Sequence, residues 1–126
     1  MVTAGLEVTV LGSSGSYASV DNPCTGFLVE SPAAAVLFDC GPGTAGPLQA
    51  AIGLENLDAI VVSHCHPDHW LELPVLRNVF TWFHPRSGIP VYGTAETRRM
   101  DEAVTVRAPG APTPFDWETI DASSTI

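Results

Sequence analysis

The chain has 126 residues and a mass of 13.3 kDa, which is enough for one domain with one hydrophobic core. Hydrophobic residues make up 45% and charged residues 15% of it, with a mean hydropathy of +0.20, so a wholly disordered chain is excluded. No apolar run approaches the roughly 20 residues of a membrane-spanning helix, and the first ten residues lack the basic segment of a secretory signal. We therefore expect a cytoplasmic protein that does not enter a membrane.

The charge of the chain is strongly acidic. Five basic residues, all Arg, stand against 14 acidic residues, for a net charge of −9. Such a surface is unfavourable for a polyanion, so stable nucleic-acid binding is not expected. Three cysteines are an odd and low count, which fits a reducing compartment and does not predict a disulfide framework.

The first half of the chain predicts three strands and a short helix. Apolar and polar residues alternate over residues 6–11, which predicts a strand that ends at the following Gly-Ser-Ser-Gly turn. Two apolar runs, at residues 25–30 and 35–39, are separated by a Ser-Pro dipeptide and predict a β-hairpin. Residues 45–52 can form a short helix, for which Gly53 is placed as the C-terminal cap.

The second half continues the alternation of strands and helices. Residues 58–63 contain the run Ala-Ile-Val-Val, which is typical of a strand buried inside a sheet. The polar cluster 64–69 follows it. Apolar residues then recur at helical spacing over residues 73–83, and residues 89–92 and 94–101 predict a short strand and a short helix. This alternation indicates an α/β fold.

The end of the chain has a different composition. Residues 105–126 are rich in Pro, Ala and Thr, which favours a linker-like or excursion segment. We therefore assign residues 1–104 to the folded domain and residues 105–126 to that segment.

The chemistry of the chain is concentrated in the sequence Ser-His-Cys-His-Pro-Asp-His, which follows the predicted buried strand and holds three of the four histidines. His64 and His66 would point to the same side of an extended backbone, so their imidazoles can converge on one cation. Pro67 favours a bend, and a bend can turn Asp68 and His69 toward a second cation. Imidazole nitrogen and carboxylate oxygen form a ligand set suited to Zn²⁺, with Mn²⁺ or Fe²⁺ as alternatives.

Four residues near this motif each have a functional and a structural interpretation. Cys65 lies between two inward-pointing histidines, so we expect it to face away and to pack as a small apolar residue. His84 would lie about 16 Å along the predicted helix from the motif and is expected to be a helix-end residue. Trp70 could line a substrate cleft or belong to the core. Asp39 could hold the metal loop by hydrogen bonds or simply begin a turn.

These motifs resemble the metallo-β-lactamase-fold hydrolase superfamily. The segments LGSSGS, VLFDCGPGT and LDAIVVSHCHPDHWLELP have the order and spacing of that family's N-terminal half, over residues 7–93. They are most similar to the ribonuclease Z-like branch, which includes enzymes that open cyclic nucleotides. The resemblance implies an α/β fold that is the N-terminal half of a four-layer αββα sandwich. Glu72 stands where ribonuclease Z usually has Gly, which favours the cyclic-nucleotide relatives over tRNA processing.

The resemblance also implies roles for individual residues. His64 and His66 would bind the first of two Zn²⁺ ions, and Asp68 and His69 the second. Asp39 would be the carboxylate that holds the ligand loop in place. The expected reaction is hydrolysis of a small-molecule or nucleotide phosphodiester by a metal-bound hydroxide, with Asp68 taking or giving a proton. A thioester or lactam substrate is an alternative.

The number of ligands is low for a complete enzyme. Each ion would have two ligands, whereas a catalytic zinc has about three protein ligands and water. In the family that this chain resembles, the remaining ligands come from the second half of the domain. We therefore expect an enzyme completed by a C-terminal half or a homodimer partner, or alternatively a non-catalytic half-domain that binds metal weakly or serves as an interaction module. Half a sandwich would leave one apolar sheet face exposed.

Overall fold

The computed structural model describes residues 5–107, 109–111 and 113–126. Its six strands form one sheet in which they lie side by side in chain order. The strands are β1 (Glu7–Gly12), β2 (Gly26–Glu30), β3 (Ala35–Cys40), β4 (Ala59–Val61), β5 (Ile89–Gly93) and β6 (Phe115–Thr119). The helices are α1 (Ala45–Ala51), α2 (Pro67–Trp70), α3 (Leu73–Asn78) and α4 (Ala95–Val104), with a 3₁₀ turn at Leu54–Asn56 and a π-helical turn at Val79–Phe83.

The pairing of the strands changes along the sheet. Strands β1, β2 and β3 are antiparallel neighbours, and the tight turn between β2 and β3 is held by the Ser31 hydroxyl, which accepts the backbone N–H groups of Ala33 and Ala34. Strands β3 to β6 run parallel, because each connection between them contains a helix that returns the chain to the same end. The predicted strands and hairpin are confirmed, except that Met1 to Ala4 lie outside the described residues.

Two helix boundaries differ from the prediction. Gly53 is not the C-terminal cap of α1, because its backbone is extended (φ −67°, ψ 135°) and it caps the start of the 3₁₀ turn instead. The predicted helix over residues 73–83 is helical throughout, but its last turn is a π turn in which the His84 N–H donates to the Val79 carbonyl at 2.8 Å.

The expectation of a linker-like segment is wrong for Phe115–Thr119, which form β6 and pair with the whole of β5. Phe115 is buried and packs edge-on against Phe80, with ring centroids 6.1 Å apart. The Trp117 indole N–H donates to Asp101 on α4 at 3.0 Å. Burial of Phe115 and the partial burial of Trp117 therefore outweigh the proline-rich composition before the strand. The domain boundary at residue 104 stays a prediction.

The core lies between the sheet and the helices. One residue from each of the four central strands faces this side and is fully buried. Helices α1 and α3 and the π turn cover them with apolar side chains that are equally buried. The strand residues are Leu28, Leu37, Ile60 and Val91, and the covering residues include Leu48, Leu76 and Phe80.

The opposite face of the sheet is apolar and partly exposed. Val10, Phe27, Phe38, Val61 and Tyr92 form one row of paired residues across five strands. In this face Val10 is 59% and Phe38 is 41% exposed. The exposed apolar face expected of half a sandwich is therefore confirmed. Among the residues described, no helix is both long and apolar enough to span a membrane.

Candidate metal centre

The motif begins where two neighbouring parallel strands end. Asp39 lies near the end of β3 in a left-handed conformation (φ 57°), which Asp tolerates better than most residues. Its Oδ1 accepts the backbone N–H of Ser63 and its Oδ2 accepts the Ser63 hydroxyl, both at 2.7 Å. These bonds fix the exit of β4, so the residues that follow lie at the carboxyl edge of the sheet, where α/β proteins commonly bind ligands.

The first two histidines converge as the alternation of side chains predicts. His64 Nε2 and His66 Nδ1 lie 3.1 Å apart. His66 has the extended backbone (φ −64°, ψ 131°) expected before a proline. Pro67 then begins the short helix α2, so the predicted bend is a helical turn.

This helical turn brings the last two motif residues to the same place. His69 Nδ1 contacts Asp39 Oδ2 at 2.7 Å, and His69 Nε2 lies 3.4 Å from Asp68 Oδ2. The rings of His64 and His69 are 4.2 Å apart between centroids. The structure therefore brings the four predicted ligands together as two neighbouring pairs and places Asp39 directly behind them.

The hydrogen bonds behind the site indicate which ring nitrogens are free. An ionised carboxylate only accepts hydrogen bonds, so the Ser63 hydroxyl hydrogen belongs to its bond with Asp39. Ser63 Oγ must then accept from His64 Nδ1, 2.9 Å away. His69 Nδ1 likewise donates to Asp39. In the neutral tautomer that these bonds select, both imidazoles carry their hydrogen on Nδ1, so Nε2 is the nitrogen left to bind a cation.

The spacing of the donor atoms fits two cations with two ligands each. Two ligands on one tetrahedral zinc, at bond lengths of 2.0–2.1 Å, lie about 3.3 Å from each other. The pair from His64 and His66 is 3.1 Å apart and the pair from Asp68 and His69 is 3.4 Å apart. Within the described part of the chain, no group of three or more His, Cys, Asp or Glu side chains is arranged to hold one ion. Each pair is therefore short of the ligand number of a catalytic zinc.

Asp68 has an unexpected partner in the loop between β1 and β2. The backbone N–H of Ser16 donates to Asp68 Oδ2 at 2.9 Å. This bond lowers the pKa of Asp68 below its ordinary value, against partial desolvation and with smaller help from the charges of His69 and His66. Asp68 therefore remains an anion under all but strongly acidic conditions.

A second carboxylate fastens the glycine-rich loop after β3 to the motif. Glu72 Oε2 accepts the backbone N–H groups of Gly43 and Ala45, at 2.8 and 3.0 Å. Gly41 lies so close to the motif that a Cβ there would be 2.0 Å from the Asp68 carbonyl oxygen. The loop and the ligand helix α2 therefore pack as one unit.

Sequence reasoning did not find three of these supporting residues. Ser63 was recoverable, since it stands between the buried strand and the first histidine. Glu72 bonds across 29 residues, and Ser16 acts through its backbone across 52 residues. No residue pattern in the sequence indicates the long-range contacts of Glu72 and Ser16.

The neighbouring residues have mainly structural roles. Trp70 is 2% exposed and its indole N–H donates to the Cys65 carbonyl at 2.8 Å, so it belongs to the core and does not line a cleft. Cys65 is only half-buried, which is less burial than predicted. His84 is exposed at the end of the π turn, in agreement with the expected helix-end position.

Comparisons with known proteins agree with this geometry. The family model "Metallo-beta-lactamase superfamily" matches residues 20–120. Ribonuclease Z of Methanosarcina acetivorans is 33% identical over 98 residues, which are 77% of this chain and 32% of that protein. The chain thus spans about a third of the length of this curated relative.

Two solved structures have the same architecture. The metallo-beta-lactamase fold protein YhfI from Bacillus subtilis has a TM-score of 0.79 and 24% identity, covering 94% of this chain and 46% of that one. Human tRNase Z, short form, has a TM-score of 0.66 and 25% identity, covering 87% and 43%. The fold implies divalent metal binding, commonly of zinc. The chain therefore belongs to the metallo-beta-lactamase superfamily, on its ribonuclease Z-like branch.

Proposed function

We propose that this chain carries the ligand motif of a metal-dependent hydrolase that acts on small phosphodiesters such as cyclic nucleotides. The observation that carries the proposal is the convergence of four side chains into two donor pairs, 3.1 and 3.4 Å across. When bound, divalent ions such as Zn²⁺ supply a nucleophile at neutral pH and stabilise negative charge on phosphate oxygens.

Each residue has a separate task in this proposal. His64 and His66 hold one ion, and Asp68 and His69 hold the other. Asp39 orients His69 directly and His64 through the Ser63 hydroxyl, so that one carboxylate fixes a ligand of each ion. Asp68 would also be the group that takes a proton from the reacting atoms or gives one to the leaving group, the role that the family resemblance implies.

The substrate class follows from the relatives and from the charges of this chain. The names ribonuclease Z and tRNase Z belong to proteins that act on RNA, whose linkage is a phosphodiester. This chain, however, has a net charge of −9. Three of its five arginines are already engaged within the fold, which favours a small phosphodiester over a long polyanion. They are Arg77 on Asp101, Arg86 on the carbonyls of Leu54 and Leu57, and Arg98 on Glu102.

The missing ligands would come from residues outside this chain. A further stretch of polypeptide or a second copy would supply them and would cover the partly exposed apolar face that contains Val10 and Phe38. Sequencing of the DNA downstream of codon 126 tests whether a further stretch of polypeptide supplies these ligands. A continuing reading frame with an Asp and two further His residues is the expected result.

A second candidate function is a non-catalytic half-domain that binds metal weakly or serves as an interaction module. It is favoured by one observation, which is that no three ligands surround a single point in the described residues. Metal analysis of the purified protein separates the two functions. Near two equivalents of tightly held metal per chain would refute the half-domain.

The proposed activity is tested on the longer polypeptide or the dimer that completes the ligand set, by turnover of a chromogenic phosphodiester, bis(p-nitrophenyl) phosphate, with added Zn²⁺ or Mn²⁺. His66→Ala should abolish turnover because it removes a ligand. His84→Ala is the matched control, since it changes the one histidine that lies outside the motif, and it should leave turnover unchanged. Unchanged turnover in His66→Ala would refute the assignment.

A further inference from the structure

The loop between β1 and β2 contains a strained turn beside the metal centre. Ser16 has φ 67°, and the N–H of Tyr17 donates to the carbonyl of Gly15 at 2.8 Å. A bond between residues two apart around a central residue of positive φ defines a γ-turn of the rare, strained kind. Glycine adopts such a conformation readily, whereas serine rarely does.

The rest of the loop is built to hold this turn in place. The Ser14 N–H donates to the Pro23 carbonyl at 3.0 Å. Ser13 and Asn22 exchange two further bonds, from the Ser13 N–H to Asn22 Oδ1 and from Asn22 Nδ2 to the Ser13 hydroxyl, each 3.0 Å long. A strained residue persists only where its surroundings determine its conformation, and such residues concentrate at functional sites.

The strained turn has one visible consequence, which is that it aims the Ser16 N–H at Asp68 Oδ2, 2.9 Å away. The same oxygen lies 3.4 Å from His69 Nε2. We infer that Ser16 is a positioning residue whose backbone N–H holds the Asp68 carboxylate beside His69, in the orientation needed to share a cation with it. This inference rests on the proposed function, because it takes Asp68 and His69 as ligands of one ion.

The inference makes the backbone conformation, and not the serine side chain, the important property of residue 16. Ser16→Gly keeps the N–H and adopts a positive φ without strain. Ser16→Val keeps the N–H but disfavours a positive φ strongly, because valine is β-branched. Ala18→Val is the matched control, since it adds the same side chain to the same loop at a residue without positive φ.

The test is a titration of the purified protein with Co²⁺, followed by the visible absorption of the bound ion. Ser16→Val should weaken binding of the second equivalent about tenfold, the effect typical of losing a partner that orients a ligand. Ser16→Gly and Ala18→Val should bind as the parent does. If Ser16→Val fails to fold by circular dichroism, Ser16→Thr replaces it, with an expected loss of severalfold, because threonine is also β-branched but keeps the hydroxyl.

Parent-like Co²⁺ affinity in a folded Ser16→Val or Ser16→Thr variant would overturn the inference. So would an equal loss in Ser16→Gly, since the serine side chain would then be the important group. Asp68→Ala separates this failure from failure of the proposed function. If Asp68→Ala binds two equivalents as tightly as the parent, the ligand assignment itself is wrong. If it weakens binding, then adding Ser16→Val to it should cause no further loss.

Discussion

The Nδ1–H group of His69 donates to Asp39 Oδ2 at 2.7 Å, across 30 residues of sequence. The contact joins the end of β3 to the ligand helix α2 and determines which nitrogen of His69 is free. Because Asp39 also receives two bonds from Ser63, its carboxylate accepts three hydrogen bonds from the motif. The readiness of the site to bind metal therefore depends on a residue that is not itself a proposed ligand.

Replacing Asp39 by Asn should weaken metal binding by about tenfold to a hundredfold. Asn tolerates the left-handed backbone of this position. Its amide N–H₂ group, however, is a donor, and it would face the Ser63 and His69 donors that the Asp39 carboxylate accepts. His69 would then have to accept at Nδ1 and carry its proton on Nε2, where the cation should bind. Competition with a chromogenic chelator for Zn²⁺ measures the effect. Asp58→Asn is the control, because Asp58 accepts a backbone N–H from Ala35 and has no part in the metal centre.

The stability of the metal-free protein should depend on the ionisation of Asp68. The pKa of Asp68 in the fold lies below its ordinary value of 3.8, chiefly because of the Ser16 N–H. A lowered pKa stabilises the fold fully above the unfolded pKa, and this contribution is lost as the pH falls through the folded pKa. Urea unfolding at pH 5, 4 and 3 with EDTA should therefore show a slightly smaller acid loss in Asp68→Asn than in the parent. Parallel pH profiles for the two proteins would contradict this account.

One of the three cysteines should react much faster than the other two. Burial raises the pKa of Cys40 well above its ordinary value, and burial followed by the charge of Asp68 raises the pKa of Cys24. Both thiols therefore form little thiolate at pH 8 and are also shielded from reagent. Ellman's reagent should give a fast phase of one thiol per folded chain, from the half-buried Cys65. Cys65→Ser should remove that phase, and its persistence would show that another cysteine is accessible.

The ion pair between Arg77 and Asp101 should be essential for stability. Asp101 is fully buried and also accepts the Trp117 indole N–H, and Arg77 lies over the Phe115 ring at 5.1 Å. Asp101→Ala would leave a buried cation without a partner, at a cost of about 3–5 kcal/mol in the free energy of unfolding. Glu102→Ala on the same helix breaks only the exposed pair with Arg98 and should cost less than about 1 kcal/mol. Urea denaturation of the two variants tests this difference, and equal losses would contradict it.

Local patterns in the sequence predicted most of the fold. The hairpin of β2 and β3, the buried strand β4 and the helix after the motif were predictable because hydrophobic periodicity and turn residues act over a few residues. Strand β6 was not, because its place depends on burial of Phe115 and on the bond from Trp117 to Asp101. Such tertiary contacts override the composition of the segment around them.

The candidate site was predictable only as far as its residues are neighbours in sequence. Alternation along a strand and the proline at position 67 predicted the convergence of His64 and His66. Neither could show that Ser16 and Glu72 approach the motif, because those contacts depend on how distant loops pack. The ligand assignment, the metals and the reaction stay predictions that require experiment.

The most direct test of the account is a crystal structure of the protein soaked with zinc, with anomalous differences recorded on both sides of the zinc absorption edge. We expect two peaks, one bonded to His64 Nε2 and His66 Nδ1, and one bonded to Asp68 and His69 Nε2. A crystal in which zinc bound elsewhere, while these four side chains contacted no metal, would contradict the central claim.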